Sequence, residues 1–271
     1  MHSRLSVNSI CFGSATLSSV AEHWRALGAR RVSLVSHQVL DSDIATLQNV
    51  LRAGEHSCET ICHPFLPFQP LELHERSWRE PRARLARLIE VASRLGARSI
   101  YVLTGGHGSL TWEQAAEAFS AAIAPCVTQA AAARVALAVE NSSVLYADNH
   151  IAHSLRDTLA LAEMAGIGVC LDLYSCWTEA GLRASIERAL PRLEVVQVSD
   201  YIYGDRALPC RAVPGDGTVP LARIVQWLLG AGYAGAFDLE LIGPRIDAEG
   251  HRDAVRRAAH YVSDMLSGLG V

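Results

Sequence analysis

Lysine is missing altogether: all 24 basic residues of the 271-residue chain are arginine. That absence excludes chemistry built on a primary amine, including Schiff-base aldol cleavage, pyridoxal-phosphate catalysis and the lysine of a phosphate-binding P-loop. Arginine is no substitute, because its guanidinium stays protonated. Proton transfer must fall to carboxylates, histidines, tyrosines, cysteines or a metal ion. Long apolar runs are missing too. The richest, 121–139, is interrupted by Pro125, Gln129 and Arg134, so no stretch of about 20 apolar residues is available to cross a bilayer. No long apolar segment follows Arg4, and a secretory signal is not expected. An excess of positive charge is also lacking. The formal net charge is −4, and the densest basic cluster, Arg76 to Arg87, is broken by Glu80 and reads as a solvated helix face. A nucleic-acid partner is therefore not expected. The seven cysteines are odd in number and lack zinc-finger pairing, which fits reduced, buried thiols in a cytoplasmic protein.

What the chain does have is alternation. Short β-branched runs fall at Leu5–Cys11, Arg31–Val35, Glu59–Cys62, Ser99–Leu103, Val135–Val139, Gly168–Leu173, Val195–Val198 and Ala236–Leu241. Amphipathic helical patterns separate them at Leu17–Leu27, Ser42–Ala53, Arg82–Leu95, Thr111–Ala133, Leu155–Ala165, Glu179–Leu190 and Leu221–Leu229, with Ala248–Leu266 at the end. Boundary residues agree with this division. Thr111 and Gln114 have capping-box spacing, Gly28, Gly96 and Gly166 stand where left-handed C-caps belong, and Pro220 suits a first helical turn.

Strict strand–helix alternation requires parallel strands joined by crossover helices. Eight units in about this length fit a single-domain (β/α)8 TIM barrel over residues 1–271. An open doubly wound sheet is the alternative, but the residues after the first strand, Cys11-Phe12-Gly13-Ser14-Ala15, carry no dinucleotide fingerprint.

Barrel chemistry gathers at the C-terminal ends of the strands, and titratable residues stand there. His63 ends the third strand, Gly105-Gly106-His107-Gly108 follows the fourth, Glu140-Asn141 ends the fifth and Asp172 the sixth. Gln197 and Asp200 end the seventh and Glu240 the eighth. Any one of these acids alone reads as readily as a helix cap or a loop ion pair. Together, Glu140, Asp172 and Glu240 would converge on one axial point, where like charges resist joint ionisation. With no lysine to neutralise them, a divalent metal resolves the conflict, and the Gln197 oxygen supplies a fourth ligand. Oxygen-rich ligation favours Mn²⁺ or Mg²⁺, with Co²⁺ or Zn²⁺ as further candidates.

The run of motifs Val-Ala-Leu-Ala-Val-Glu140-Asn141, Val-Cys-Leu-Asp172-Leu-Tyr174, Val-Val-Gln197-Val-Ser-Asp200 and Gly232-Tyr233-Ala-Gly235-Ala-Phe-Asp-Leu-Glu240 resembles the xylose isomerase-like TIM barrels. That group includes hydroxypyruvate isomerase and the ketose 3-epimerases. Arg211-Ala-Val-Pro214-Gly215-Asp216-Gly217 is similar to the family's Arg-x-x-Pro-Gly-x-Gly loop. The resemblance covers residues 99–245 well and the first hundred in outline. It implies a metal held by Glu140, Asp172, Gln197 and Glu240, with Glu140 and Glu240 also acting as the acid/base pair. It further implies a substrate-binding role for Arg211 and substrate contacts for His63 and His107. One position departs from the pattern: relatives carry histidine three residues after the sixth-strand aspartate, and here Ser175 stands there, followed by Cys176 and Trp177. Ser175 and Trp177 are accordingly taken as candidate substrate contacts.

The implied activity is isomerisation or epimerisation of a small sugar or related polyhydroxylated carbonyl compound through a metal-stabilised enediolate. The alternatives are a dehydratase of the inosose or dehydroshikimate type, an endonuclease IV-like repair enzyme, which the negative net charge disfavours, and a non-catalytic sugar-binding barrel. A homo-oligomer, dimer or tetramer, is the expected assembly.

Overall fold

Eight strands pair in parallel in chain order, and the last returns to the first: β1 (Leu5–Asn8), β2 (Arg31–Val35), β3 (Ser57–Pro64), β4 (Ser99–Leu103), β5 (Ala136–Glu140), β6 (Gly168–Asp172), β7 (Leu193–Val198) and β8 (Ala236–Leu239). The computed structural model describes residues 1–271, and the closed barrel is the TIM architecture expected from the alternation. The principal outer helices are α1 (Leu17–Leu27), α3 (Ile44–Ala53), α4 (Glu75–Leu95), α5 (Trp112–Ala133), α6 (Leu155–Ala165), α8 (Leu182–Ala189), α9 (Leu221–Ala231) and α11 (His251–Gly268). Three short helices, α2 (Ser36–Leu40), α7 (Leu173–Cys176) and α10 (Pro244–Glu249), were not expected; each lies in the connection after a strand on the C-terminal face. No helix is long and apolar enough to cross a membrane.

Local signals formed as their chemistry requires. The Thr111 hydroxyl accepts from the Gln114 amide while the Gln114 side chain returns to the Thr111 amide. Gly28, Gly96 and Gly166 close their helices at φ of 66°, 69° and 68°, a region that costs glycine nothing. Several helix boundaries differ from expectation, α11 among them at His251–Gly268 rather than Ala248–Leu266, and two of the shifted starts have a visible cause. Helix α4 starts at Glu75 rather than Arg82 and runs through Pro81, because Trp78 is buried and its indole N–H donates to the Glu72 carbonyl at 2.8 Å. Helix α8 starts at Leu182 rather than Glu179, since Glu179 is used elsewhere: its carboxylate accepts the Leu155 amide at 2.6 Å at the start of α6.

The apolar core lies mainly between barrel and helices, as one cluster of 70 buried residues. A separate small cluster of Tyr101, Ala138, Cys170 and Val195, with Cys62 against it, fills the middle of the barrel. Strand side chains alternate with period two. Two positions beyond Ala138, Cys170 and Val195 come Glu140, Asp172 and Gln197, and two beyond the buried Asp238 comes Glu240. The apolar plug is thus the floor of a polar layer at the C-terminal mouth. Below it, Asp238 accepts from Asn8 at 3.1 Å and Ser33 at 2.7 Å, and Ser6 pairs with Ser33 at 2.9 Å.

Phe119 on α5 is fully buried and packs edge-on to Phe65 with ring centroids 5.9 Å apart. Phe119→Ala should cost about 3–5 kcal/mol of unfolding free energy, read from urea-induced unfolding by circular dichroism. A loss below about 1 kcal/mol would show that the helix–barrel layer is looser than the packing indicates.

Candidate active site

The polar layer is organised by Arg211. Its Nη1 and Nη2 each lie 3.0 Å from one oxygen of Asp172, forming a bidentate pair. Nη2 also reaches Glu240 Oε1 at 3.3 Å, Nη1 donates to Ser199 Oγ at 3.0 Å, and the guanidinium lies 4.6 Å from the centre of the Tyr174 ring. Asp172 takes two further bonds, from the Tyr174 amide at 3.1 Å and the Ser175 hydroxyl at 2.5 Å. Two oxygens with about four lone-pair sites therefore face four donors.

The other members are held differently. Gln197 Nε2 donates to the Tyr101 hydroxyl at 3.0 Å and to Glu240 Oε2, while Gln197 Oε1 is buried without a partner. The Glu140 carboxylate receives no hydrogen bond, but its backbone is fixed: His150 Nε2 lies 2.6 Å from the Glu140 carbonyl and its Nδ1 accepts the Thr104 amide at 3.0 Å. Asn141 ties strand ends together, donating to the Asp172 carbonyl and accepting the Asp172 amide, both at 2.8 Å.

Burial pushes the Glu140 carboxyl well above the ordinary carboxylate range, and the nearby Glu240 and Asp172 add to it. Burial raises Glu240 to about 7 despite the opposing charge of Arg211. Desolvation works against the charge on Arg211, but Asp172 and Glu240 outweigh it and hold the guanidinium firmly protonated. Here the structure corrects the sequence argument. No lysine is present, yet the converging carboxylates do have a protein cation between them, and it is Arg211 rather than a required metal. The donor set still fits a hard divalent ion: it is all oxygen, the buried Gln197 Oε1 is orphaned, and the Glu140 carboxylate is free.

A cavity of about 250 Å³ opens over this layer, with Glu140, Ser175, Arg211 and Glu240 on its polar side. Tyr146, Tyr174, Phe68, Ile10, Leu103 and Ile242 supply apolar and aromatic walls. Asp172 and Gln197 belong to the polar layer but are fully buried and do not line the cavity; three further candidates from sequence join neither. His63 is buried, with Nδ1 2.9 Å from Ser36 Oγ, and its neighbour Cys62 lines the cavity instead. His107 turns back on its own loop, Nδ1 to the Leu110 carbonyl at 3.1 Å. Trp177 packs near Tyr201, ring centroids 6.2 Å apart, outside the cavity lining. Asp200 is likewise a loop anchor: its carboxylate accepts the amides of Tyr201, Gly215, Gly217 and Val219 at 2.8–3.1 Å. That grip explains the second motif glycine, since a Cβ on Gly217 would run into Asp200 and the Tyr201 carbonyl. Residues that sequence reasoning missed include His150 and Tyr101. The only available signal for His150 was its place in the loop after β5, and Tyr101 sits mid-strand.

The chain belongs to the xylose isomerase-like TIM barrel family, whose profile matches residues 22–262. Several solved structures share its fold. Protein SMc04130 from Sinorhizobium meliloti 1021 superposes with a TM-score of 0.87 at 22% identity, over 97% of this chain and 98% of that one. The IolI protein with a bound zinc atom gives 0.83 at 13% identity, over 98% and 99%. D-Psicose 3-epimerase with D-tagatose, from Clostridium cellulolyticum H10, gives 0.80 at 14% identity, over 99% and 100%. No curated protein matches the sequence significantly. At these identities the structural likeness establishes the fold alone.

His63 and His150 are both buried, and burial lowers each to about 3. The unfolded chain takes up these protons near the ordinary value of about 6.5 while the native state refuses them. Their contribution to stability is complete above pH 6.5 and is lost as pH falls towards 3, at about 1.4 kcal/mol per pH unit for each histidine. His63→Leu should therefore flatten the fall in unfolding free energy between pH 6.5 and 4.5 by about one proton's worth; parallel curves for variant and wild type would refute this.

Proposed function

We propose that the protein is an isomerase or epimerase of a small sugar or related polyhydroxylated carbonyl compound, working with one divalent ion, Mn²⁺ or Mg²⁺ ahead of Co²⁺ or Zn²⁺. One observation carries the reading. Glu140 and Glu240, two carboxyls that burial raises above the ordinary carboxylate range, Glu240 to about 7, face the same small cavity beside a guanidinium. A carboxyl near working pH, as Glu240 is, paired with a second raised carboxyl is what proton transfer at carbon needs. The cavity is below the usual range for drug-sized ligands, roughly 300–1,000 Å³, which suits a substrate of a few carbons.

Glu140, Asp172, Gln197 and Glu240 would hold the ion. When bound it would polarise the substrate carbonyl and the adjacent hydroxyl, making the C–H between them acidic. The rest belongs to the chain. Glu240, raised to about 7, is partly ionised at neutral pH and is the group able to take a proton from carbon. Glu140, which burial pushes well above the ordinary carboxylate range, holds a proton and can return one. Arg211 presents a planar fork for paired substrate oxygens, and Tyr146 and Tyr174 flank the sugar while the apolar walls exclude water. Family membership and the epimerase neighbour support this class of reaction.

Glu140→Gln and Glu240→Gln should each lower solvent deuterium exchange at substrate carbon by about 10²–10⁴-fold while the far-ultraviolet circular dichroism stays unchanged. Full exchange in either variant would overturn the assignment. A product lighter by one water would make the enzyme a dehydratase, and sugar binding without exchange in the wild type would make it a binding protein.

A further inference from the structure

Asp172 is saturated. Its two oxygens face the Tyr174 amide, the Ser175 hydroxyl and both terminal nitrogens of Arg211 at 2.5–3.1 Å. A carboxylate so engaged has no lone pair left for a further cation. The amide and hydroxyl come from the turn immediately after β6 and move with Asp172; the guanidinium comes from a separate loop and is the donor that can leave. Arg211 also lines the cavity, so there is space on that side to receive it. Ser175 contributes to the saturation: the family histidine expected at this place would put a ring where a short hydroxyl bond now closes the last site on Asp172.

We propose that Arg211 is a built-in competitor for the metal site, occupying Asp172 until a divalent ion displaces it towards the cavity. This rests on the metal-dependent reading above. Displacement moves the guanidinium from a protein carboxylate to the place where substrate oxygens sit, so ion uptake arms the substrate-binding arginine. It also moves a cation off the Tyr174 ring, whose hydroxyl is fixed 2.7 Å from Cys210 Sγ. Arg211 leaves while its tyrosine stays.

The sign of one measurement decides the matter, because an arginine that merely supported a metal ligand would strengthen binding. Calorimetric titration of the metal-free protein with MnCl₂ should give a dissociation constant about tenfold or more tighter in Arg211→Met than in wild type, the worth of releasing one charge-assisted hydrogen bond. Ser175→Ala, which keeps every charge, should tighten binding in the same direction by a smaller factor. It serves if Arg211→Met, left with Asp172 buried and unpaired, does not fold. In the wild type, Mn²⁺ should also perturb the tyrosine absorption spectrum, and Tyr174→Phe should remove most of that change. Binding by wild type that is unchanged or weaker in both variants overturns the competition and leaves the metal reading standing. Absence of Mn²⁺ binding in wild type and variants alike overturns both. Binding that emerges only in the variants supports the competition in its strongest form.

Discussion

The contact between Arg211 and Asp172 is the constraint around which the mouth of this barrel is arranged. Burying three carboxylates near one another is costly, because each loses its hydration and each disfavours the charge of the others. One guanidinium against Asp172 and Glu240 offsets part of that cost, and the rest is met by raising Glu140 and Glu240 towards their neutral forms. Removing one partner from a buried pair is far more damaging than replacing both, so the elements that place Arg211 matter as much as the arginine itself. Asp200 gathers four amides of the following loop, and its backbone bridges Ala212 in both directions at 2.8 and 2.9 Å. The residue next to Arg211 is thereby locked to the end of β7. A largely buried loop motif of arginine, proline and glycines thus acts as a rigid strut for one buried cation.

Much of the architecture was legible because barrel physics writes itself as period and punctuation. The helices Leu17–Leu27 and Leu155–Ala165 and the strands Arg31–Val35 and Ser99–Leu103 have the bounds expected from pattern and caps. The short helices α2, α7 and α10 were not legible, since a single turn of four to six residues has too few positions to show a period. The start of α4 was hidden by Pro81, a residue that normally breaks a helix; only tertiary burial of Trp78 reveals why this one continues.

The candidate site shows the same division between what is local and what is not. Glu140, Asp172, Gln197 and Glu240 lie together at the mouth because each sits at or just past a strand end, where alternation is simple to follow. His63 does not join them, and the cause is one skipped residue. Pairing between β2 and β3 runs Val32 to Cys58 and then Ser33 to Thr60, leaving Glu59 out of step. That irregularity reverses which side chains of β3 face the axis. Thr60 and Cys62 turn inward and His63 turns to the helices, against Ser36. Glu59 takes the displaced position with a purpose of its own, pairing with Arg31 at 2.6 Å and Arg98 at 3.3 Å. Nothing in the run Glu59-Thr60-Ile61-Cys62-His63 announces the slip, because it depends on how two separate strands register.

The absence of lysine acquires a different meaning once the charges are placed. A lysine at 211 would bring a compact point charge with a strongly hydrated head, able to favour one carboxylate oxygen at a time. The guanidinium fork instead fills both oxygens of Asp172 at once and still reaches Glu240, Ser199 and the face of Tyr174. Charge neutralisation and geometric closure then come from one group. Such a group is permanently cationic, so it cannot leave the carboxylate layer by losing a proton; it can leave only by exchanging one anionic partner for another set of oxygens. A barrel whose central cation is arginine is therefore governed by competition for oxygen atoms, and the carboxylates rather than the cation carry its response to protons.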